Sequence, residues 1–200
     1  MKKKKALLQL KELERLGKRV RLAADWKKPW QILISTMLSA RTRDEKTIEV
    51  SNVLYKKYRN VEELANAKIS DVRRIIKQIN FYKGKAKRII LCAKIISKEY
   101  NGKIPVEFEK LIKLPGVGRK TANVYLAVLG YSEIGVDTHV SQISRALGWT
   151  RHSKQKDIEN DLKRLFPKQK WREINYVLVR FGRSHNRKKQ KDLLNQLKKI

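Results

Sequence analysis

The sequence predicts an all-α fold, and three observations carry that reading. Valines, isoleucines and leucines recur at intervals of three and four residues, not two. Only nine glycines and four prolines interrupt the 200 residues. The prolines fall between apolar-periodic segments: Pro29, Pro105 and Pro167 each stand at or just before an expected helix start. No stretch reads as a strand, and neither an internal repeat nor a Pro/Gly/Ser-rich linker is visible.

The elements follow in order. Pro29 to Leu38 carries Trp30, Ile32, Leu33, Ile34, Met37 and Leu38. That is apolar nearly all round, as a central buried helix should be. Asp44 is placed to cap the next helix, on which Ile48, Val50, Val53, Leu54 and Tyr58 form a stripe. Ser70 precedes Val72, Ile75, Ile76 and Ile79 at helical spacing. Ile89, Ile90, Ala93, Ile95 and Ile96 mark a helix ending near Tyr100-Asn101-Gly102. Further helices are expected at about 106–113, 119–129, 138–148, 155–165 and 169–181. Leu193, Leu194 and Leu197 within the lysine-rich end predict a final basic amphipathic helix, with a solvated or frayed tail as the alternative.

Forty-nine Lys and Arg against 19 Asp and Glu leave a net charge of +30. Such a chain repels itself unless a polyanion neutralises it. Nucleic acid is the first candidate partner and an anionic membrane surface the second. The hydrophobic fraction of 41% is too high for a disordered chain. No apolar run approaches the roughly 20 residues that span a bilayer. Met1-Lys2-Lys3-Lys4-Lys5 lacks the apolar stretch of a secretory signal, so an intracellular location is expected, cytoplasmic or nucleoid-associated. One cysteine, Cys92, excludes an internal disulfide and a four-cysteine metal site within this chain. His139, His152 and His185 show no zinc-motif spacing. Cys92 lies on an apolar stripe and is expected in the core.

The most informative stretch is Leu111-Ile112-Lys113-Leu114-Pro115-Gly116-Val117-Gly118-Arg119-Lys120-Thr121-Ala122. It reads as helix, a tight turn with two glycines, then helix. Gly116 and Gly118 can take backbone angles closed to other residues. Without side chains, the turn lets its N–H groups approach a phosphate, and the next helix points its positive dipole end the same way. Leu114 and Val117 are expected to pack inward and hold the two helices together. This is a helix-hairpin-helix, which grips a DNA backbone without reading sequence. A phosphate-binding P-loop is excluded: it needs a Gly directly before the Lys, another Gly five residues earlier, and a preceding strand.

The string Leu114-Pro115-Gly116-Val117-Gly118-Arg119-Lys120-Thr121-Ala122-Asn123, followed by Val136-Asp137-Thr138-His139-Val140, resembles the helix-hairpin-helix DNA glycosylases of the endonuclease III type. Leu38-Ser39-Ala40-Arg41-Thr42-Arg43-Asp44 and Ile79-Asn80-Phe81-Tyr82-Lys83-Gly84-Lys85-Ala86 match two further blocks of that family. The resemblance runs in order from about residue 10 to residue 183. It implies two helical lobes, one from 23 to 131 with the hairpin at about 106–130, the other combining 1–22 with 132–200. DNA is expected in the groove between them.

The resemblance also implies chemistry. Bifunctional members use a lysine in the second hairpin helix and an aspartate after it, which are Lys120 and Asp137 here. A neutral primary amine can attack the sugar C1′ and form a Schiff base. Its pKa must fall for that, and Lys113, Arg119 and the hairpin dipole push in that direction. A carboxylate stabilises the positive charge developing on the sugar. Alone, Lys120 would read as one surface lysine among many, and Asp137 as a helix N-cap. Asp137 can be both. His139 is expected as a structural hydrogen-bonder beside Asp137, not a general base.

The target base must leave the stack, and the gap must be filled. The family blocks point to Arg41 and Phe81 for those tasks. Many relatives carry glutamine at the position of Arg41. Phe81 is a candidate wedge, with a helix-end residue packed on the core as the alternative. Many relatives also end in a four-cysteine iron–sulfur loop after a His-Gly-Arg string. The matching string is Phe181-Gly182-Arg183-Ser184-His185-Asn186-Arg187, and no cysteine follows. The cluster is therefore expected to be absent, its packing and DNA contact taken over by the basic helix from Arg187 onward. Carbonyls of the hairpin turn can bind a monovalent cation in related hairpins, but no side-chain pattern marks such a site. The expected function is a bifunctional DNA glycosylase and abasic-site lyase for damaged, oxidised pyrimidines. It would act as a monomer on double-stranded DNA with damaged bases or abasic sites. The alternatives are a glycosylase of different lesion or mismatch specificity, a non-catalytic DNA-binding protein that keeps only the hairpin, and a general RNA- or chromatin-coating protein.

Overall fold

The computed structural model describes residues 3–200, which form twelve α-helices and one 3-10 turn without a strand. Two compact units divide the chain. Arg21–Leu129 is one; Met1–Val20 with Gly130–Ile200 is the other. Among the described residues, no helix is long and apolar enough to cross a membrane.

The unit 21–129 is built around α2 (Pro29–Leu38), with Pro29 in its first turn and all but Pro29 and Gln31 buried. The buried hydroxyls of Ser35 and Thr36 donate to the Gln31 and Ile32 carbonyls at 2.6 and 2.7 Å, so the helix satisfies them itself. Trp26 and Trp30 meet Tyr55 edge-on, and the Tyr55 hydroxyl donates to the Gln31 carbonyl at 2.9 Å. That contact locks α2 to α3 (Asp44–Lys57). The stripe on α3 runs through Thr47, Val50, Ser51, Leu54 and Tyr55, while Val53 is exposed. Asp44 is not the cap of α3. Arg43 takes that position and Asp44 lies in the first turn, where a carboxylate still meets the positive end of the helix.

A short α4 (Val61–Ala65), not anticipated from the sequence, is capped by Asn60, whose side chain accepts from the Glu63 N–H at 2.7 Å. Then come α5 (Ile69–Ile75) and the long α6 (Tyr82–Glu99). Ala86, Ile89, Cys92, Ala93 and Ile96 of α6 are all fully buried. Burial pushes the Cys92 thiol up to about 12. Half of the region expected as a helix from 106 to 113 is helical: α7 spans Phe108–Leu111, with a turn at 112–113. It is followed by α8 (Arg119–Val128), which packs on α2.

In the other unit, α11 (Trp171–Ser184) packs on α1 (Lys3–Leu16) and α9 (Thr138–Ala146). A 3-10 turn at Lys168–Lys170 precedes α11, so the helix starts two residues later than expected and runs three further. Ile174, Val177, Leu178 and Phe181 form its buried face. Within α1, Gln9 is fully buried but satisfied: it accepts from Trp149 Nε1 at 2.7 Å and donates to the Leu197 carbonyl at 2.9 Å. After α10 (Gln155–Leu165), the chain ends in α12 (Arg187–Lys199). Asn186 caps α12, and Leu193, Leu194 and Leu197 seat in the same core as Ala6, Leu10 and Leu13.

Candidate active site

The hairpin is built by α7, the turn 112–118 and α8. Leu114 and Val117 are buried in the core of their unit, so their side chains hold the turn and only their backbone remains to meet a ligand. The Val117 N–H returns to the Leu114 carbonyl at 3.0 Å, which closes the turn. The two glycines differ. Gly116 has φ +84°, and a Cβ there would stand 2.9 Å from Met37 Cε and 3.1 Å from Arg88 Cβ. It is glycine for the fold. Gly118 has φ −97° and ψ 175°, an extended conformation open to any residue, and a Cβ there would meet nothing within 4 Å. The conformational freedom expected of both glycines is used only by Gly116. At Gly118 the missing side chain leaves open space directly before the α8 N-terminus.

Arg119 and Lys120 form the first turn of α8. The Arg119 guanidinium lies 4.6 Å from the Phe108 ring centroid, which ties the two hairpin helices across their ends. Lys120 is half-buried at the start of the helix.

Arg41 and Phe81 come together although 40 residues separate them. Both adopt the left-handed backbone region, with φ +55° and +60°. The Arg41 guanidinium lies 5.7 Å from the Phe81 ring centroid, and Asn80 Nδ2 donates to the Arg41 carbonyl. Phe81 is the N-cap of α6 and is 65% exposed, so the alternative of a ring packed on the core does not hold. A left-handed non-glycine residue costs on the order of 1–3 kcal/mol and persists only where its surroundings hold it. Two such residues side by side mark this loop pair as a candidate site.

Sequence reasoning missed what holds the pair. Lys85 is buried, and its ammonium donates to the Leu38 and Ala40 carbonyls, both at 2.6 Å, and to Thr42 Oγ1 at 3.3 Å. Burial pushes its pKa down to about 8, which leaves it protonated at neutral pH. The signal was legible: Lys85 lies on the stripe of α6 that continues through Ile89, Cys92, Ala93 and Ile96. A lysine on an apolar stripe needs a reason to be there.

Asp137 and His139 belong to the other unit, at the start of α9. The Asp137 carboxylate accepts from the Val140 N–H at 2.9 Å, so the expected capping role is met. The His139 ring packs against Gly182 of α11, where a Cβ would collide with its Nδ1. Gly182 is therefore glycine because His139 occupies its side-chain space. Among the described residues, no group of three or more His, Cys, Asp or Glu side chains could hold a metal ion.

The hairpin, the all-α architecture and the paired loops define a class of helical DNA-repair proteins. The chain belongs to the HhH-GPD superfamily of base excision DNA repair proteins, whose match covers residues 34–168. Within it, the chain is similar to endonuclease III. The protein of that name from Thermotoga maritima is 46% identical over 157 residues, covering 78% of this chain and 73% of the relative. Endonuclease III of Bacillus subtilis is 37% identical over 159 residues, with the same coverage of 78% and 73%. Among solved structures, a trapped endonuclease III–DNA covalent intermediate superposes with a TM-score of 0.85 at 32% identity, covering 92% of this chain and 88% of the other. A non-covalent endonuclease III–DNA complex gives a TM-score of 0.86 at 31% identity, covering 92% and 87%. The all-α helix-hairpin-helix glycosylase fold expected from the sequence is borne out.

Proposed function

We propose that the chain is a DNA glycosylase with abasic-site lyase activity, which removes oxidised pyrimidines from double-stranded DNA. Lys120 is the nucleophile and Asp137 the stabilising carboxylate. The observation that carries this reading is the setting of Lys120: half-buried, in the first turn of a ten-residue helix, directly after a turn whose Gly118 leaves open space. Backbone N–H groups and the helix dipole favour a phosphate at such a turn, which brings a deoxyribose within reach of the first-turn lysine. The relatives whose structures hold DNA support the same partner.

The chemistry follows from these groups. The neutral Lys120 Nζ forms a bond to C1′ as the glycosidic bond breaks, and the departing base takes a proton. The carboxylate at 137 stabilises the positive charge on the sugar while this happens. Ring opening leaves a Schiff base between Nζ and C1′. Loss of a C2′ proton then expels the 3′ phosphate, and water releases the protein. Arg41 and Phe81 fill the gap left by the extruded base. Phe81 supplies an apolar surface and Arg41 hydrogen-bond donors toward the opposite strand.

The chain does not fit the iron–sulfur cluster of many relatives. Its single sulfur nucleophile, Cys92, is fully buried on α6 in the other unit from the segment after Gly182. That segment is α12, fixed by its leucines and by Gln190 Nε2, which donates to the Gly182 and His185 carbonyls, both at 2.7 Å. Lys5 and Gln9 of α1 donate to the last carbonyls of α12, Lys198 and Leu197, at 2.8 and 2.9 Å. In this reading the helix takes over the packing that the resemblance assigns to the cluster loop. We propose a monomer that works inside the cell, cytoplasmic or nucleoid-associated.

Borohydride trapping tests the proposal, on one duplex carrying an oxidised pyrimidine and one carrying an abasic site. The wild type should form a covalent adduct on both and Lys120→Gln on neither. An adduct on the abasic duplex alone removes the base specificity. No adduct on either, with binding intact, sinks the lyase mechanism.

A further inference from the structure

We infer that Lys85 is a positioning residue that couples the Arg41 loop to the Phe81 loop and holds both in the conformation that fills the gap in the duplex. The inference rests on the glycosylase reading above and goes beyond it by naming what sets the wedge.

The last carbonyls of a helix have no partner within it, and a cation near them is favoured. Lys85 Nζ meets one of these, Leu38 at the end of α2, at 2.6 Å. A capping role for α2 alone would need no more. The same ammonium also holds the Ala40 carbonyl at 2.6 Å, immediately before the left-handed Arg41, and Thr42 Oγ1 at 3.3 Å, immediately after it. The three acceptors therefore bracket Arg41. The lysine lies four residues beyond Phe81 on the same helix, and the Lys85 N–H bonds back to the Phe81 carbonyl at 3.0 Å. Asn80 adds a second tether at the surface through the Arg41 carbonyl. Arg41 and Phe81 are thus bound from both sides, by one buried cation and one exposed amide. Neither left-handed residue is stabilised by its own sequence, so the pair needs this framework to stay in place.

A tether of this kind acts on base extrusion and not on the covalent steps. The test uses Lys85→Met, which keeps the length and loses the donors, Lys85→Arg, which keeps a cation, and Asn80→Ala on the exposed surface. Two readouts are taken. One is the fluorescence of 2-aminopurine opposite a thymine glycol, which rises when the wedge unstacks it. The other is single-turnover base release from that duplex and from one in which the lesion faces an abasic residue and is already unpaired. Lys85→Met should lose most of the fluorescence rise and release base about 10- to 100-fold more slowly from the paired duplex, as expected for about 1 Å of misplacement. On the unpaired substrate it should recover nearly wild-type rates. Lys85→Arg should restore part of both signals, and Asn80→Ala should show a smaller loss of the same kind. Equal losses on the two substrates, or none on either, would overturn the inference. If Lys85→Met does not fold, Asn80→Ala decides on the same readouts. If the wild type releases no base, the glycosylase reading falls, and the fluorescence arm still decides on the tether.

Discussion

The two hairpin glycines separate folding from binding, and replacing each by alanine should give opposite results in two assays. At Gly116 the backbone is left-handed, φ +84°, and the new Cβ would press on Met37 and Arg88 at 2.9 to 3.2 Å. The conformational cost alone is about 1–2 kcal/mol for a non-glycine residue. At about 2–4 °C per kcal/mol for a chain of this size, Gly116→Ala should lower the Tm by about 2–8 °C. At Gly118 the backbone is extended and a Cβ meets nothing, so Gly118→Ala has no steric cost and loses only the better N-cap that glycine makes for α8. Reduced freedom of the unfolded chain, worth about 0.4–1 kcal/mol, offsets that loss.

The binding assay should reverse the order of harm. A methyl group at 118 enters the space in which the turn is proposed to meet a phosphate. Loss of one hydrogen bond to a charged group is worth about 1.5–3 kcal/mol, or roughly a 10- to 100-fold weaker Kd. The assay is fluorescence anisotropy with a duplex carrying a stable abasic analogue, alongside calorimetric melting. Gly118→Ala should melt near the wild type and bind worse. If it binds as the wild type does, the open space before α8 is not a phosphate site. If it melts as low as Gly116→Ala, the steric reasoning is wrong.

Three further outcomes are expected. Asparagine caps a helix as well as aspartate, so Asp137→Asn should leave the Tm nearly unchanged yet slow base release; Asp137→Ala should also lose about 1 kcal/mol of stability. Gly182→Ala should displace the His139 ring, lowering the Tm and reducing base release while leaving anisotropy-measured binding by the hairpin in place. The Asp161 carboxyl lies below its usual range because Thr150 donates to it at 2.6 Å and His152 approaches at 2.8 Å. Its stabilising contribution is therefore full above the ordinary carboxylate pKa and lost as pH falls through the lowered value. Asp161→Asn should melt below the wild type at pH 7, and the gap should close in acid; a gap independent of pH would refute the assignment.

Much of the fold was legible because it is set by local signals. The limits of α2 follow from Pro29 and an apolar run, and the end of α6 from Tyr100-Asn101-Gly102, where Gly102 takes φ +75° and its N–H returns to the Ile96 carbonyl. The misreadings have equally local causes. Asp44 is a good capping residue, but the chain reaches helical geometry one residue earlier and leaves it in the first turn. The α3 stripe was shifted because the core admits Thr47 and Ser51, small polar side chains that hydropathy does not count, and leaves Val53 outside. The helix α4 escaped because five residues give no period to read.

The sequence pointed to Arg41 and Phe81, but their left-handed geometry and the groups that hold it escaped for a deeper reason. Nothing in the residues around Arg41 or Phe81 prefers a left-handed backbone; both positions hold side chains for which it is unfavourable. A conformation that local sequence opposes must be imposed from elsewhere. In this chain the imposing groups, Asn80 and Lys85, lie about 40 positions from the loop they hold. The same logic explains why Lys85 is an exception on its helix. A buried ammonium costs stability unless every proton has an acceptor, and the acceptors it finds are the ones that the irregular loop leaves over. The unfavourable lysine and the unfavourable backbone each supply what the other lacks. Local preference and global structure conflict at few places in a well-folded chain, and such conflicts concentrate where function is carried. That two of them coincide at the loops proposed to enter the duplex is the physical reason to read Lys85 as part of the mechanism and not only of the core.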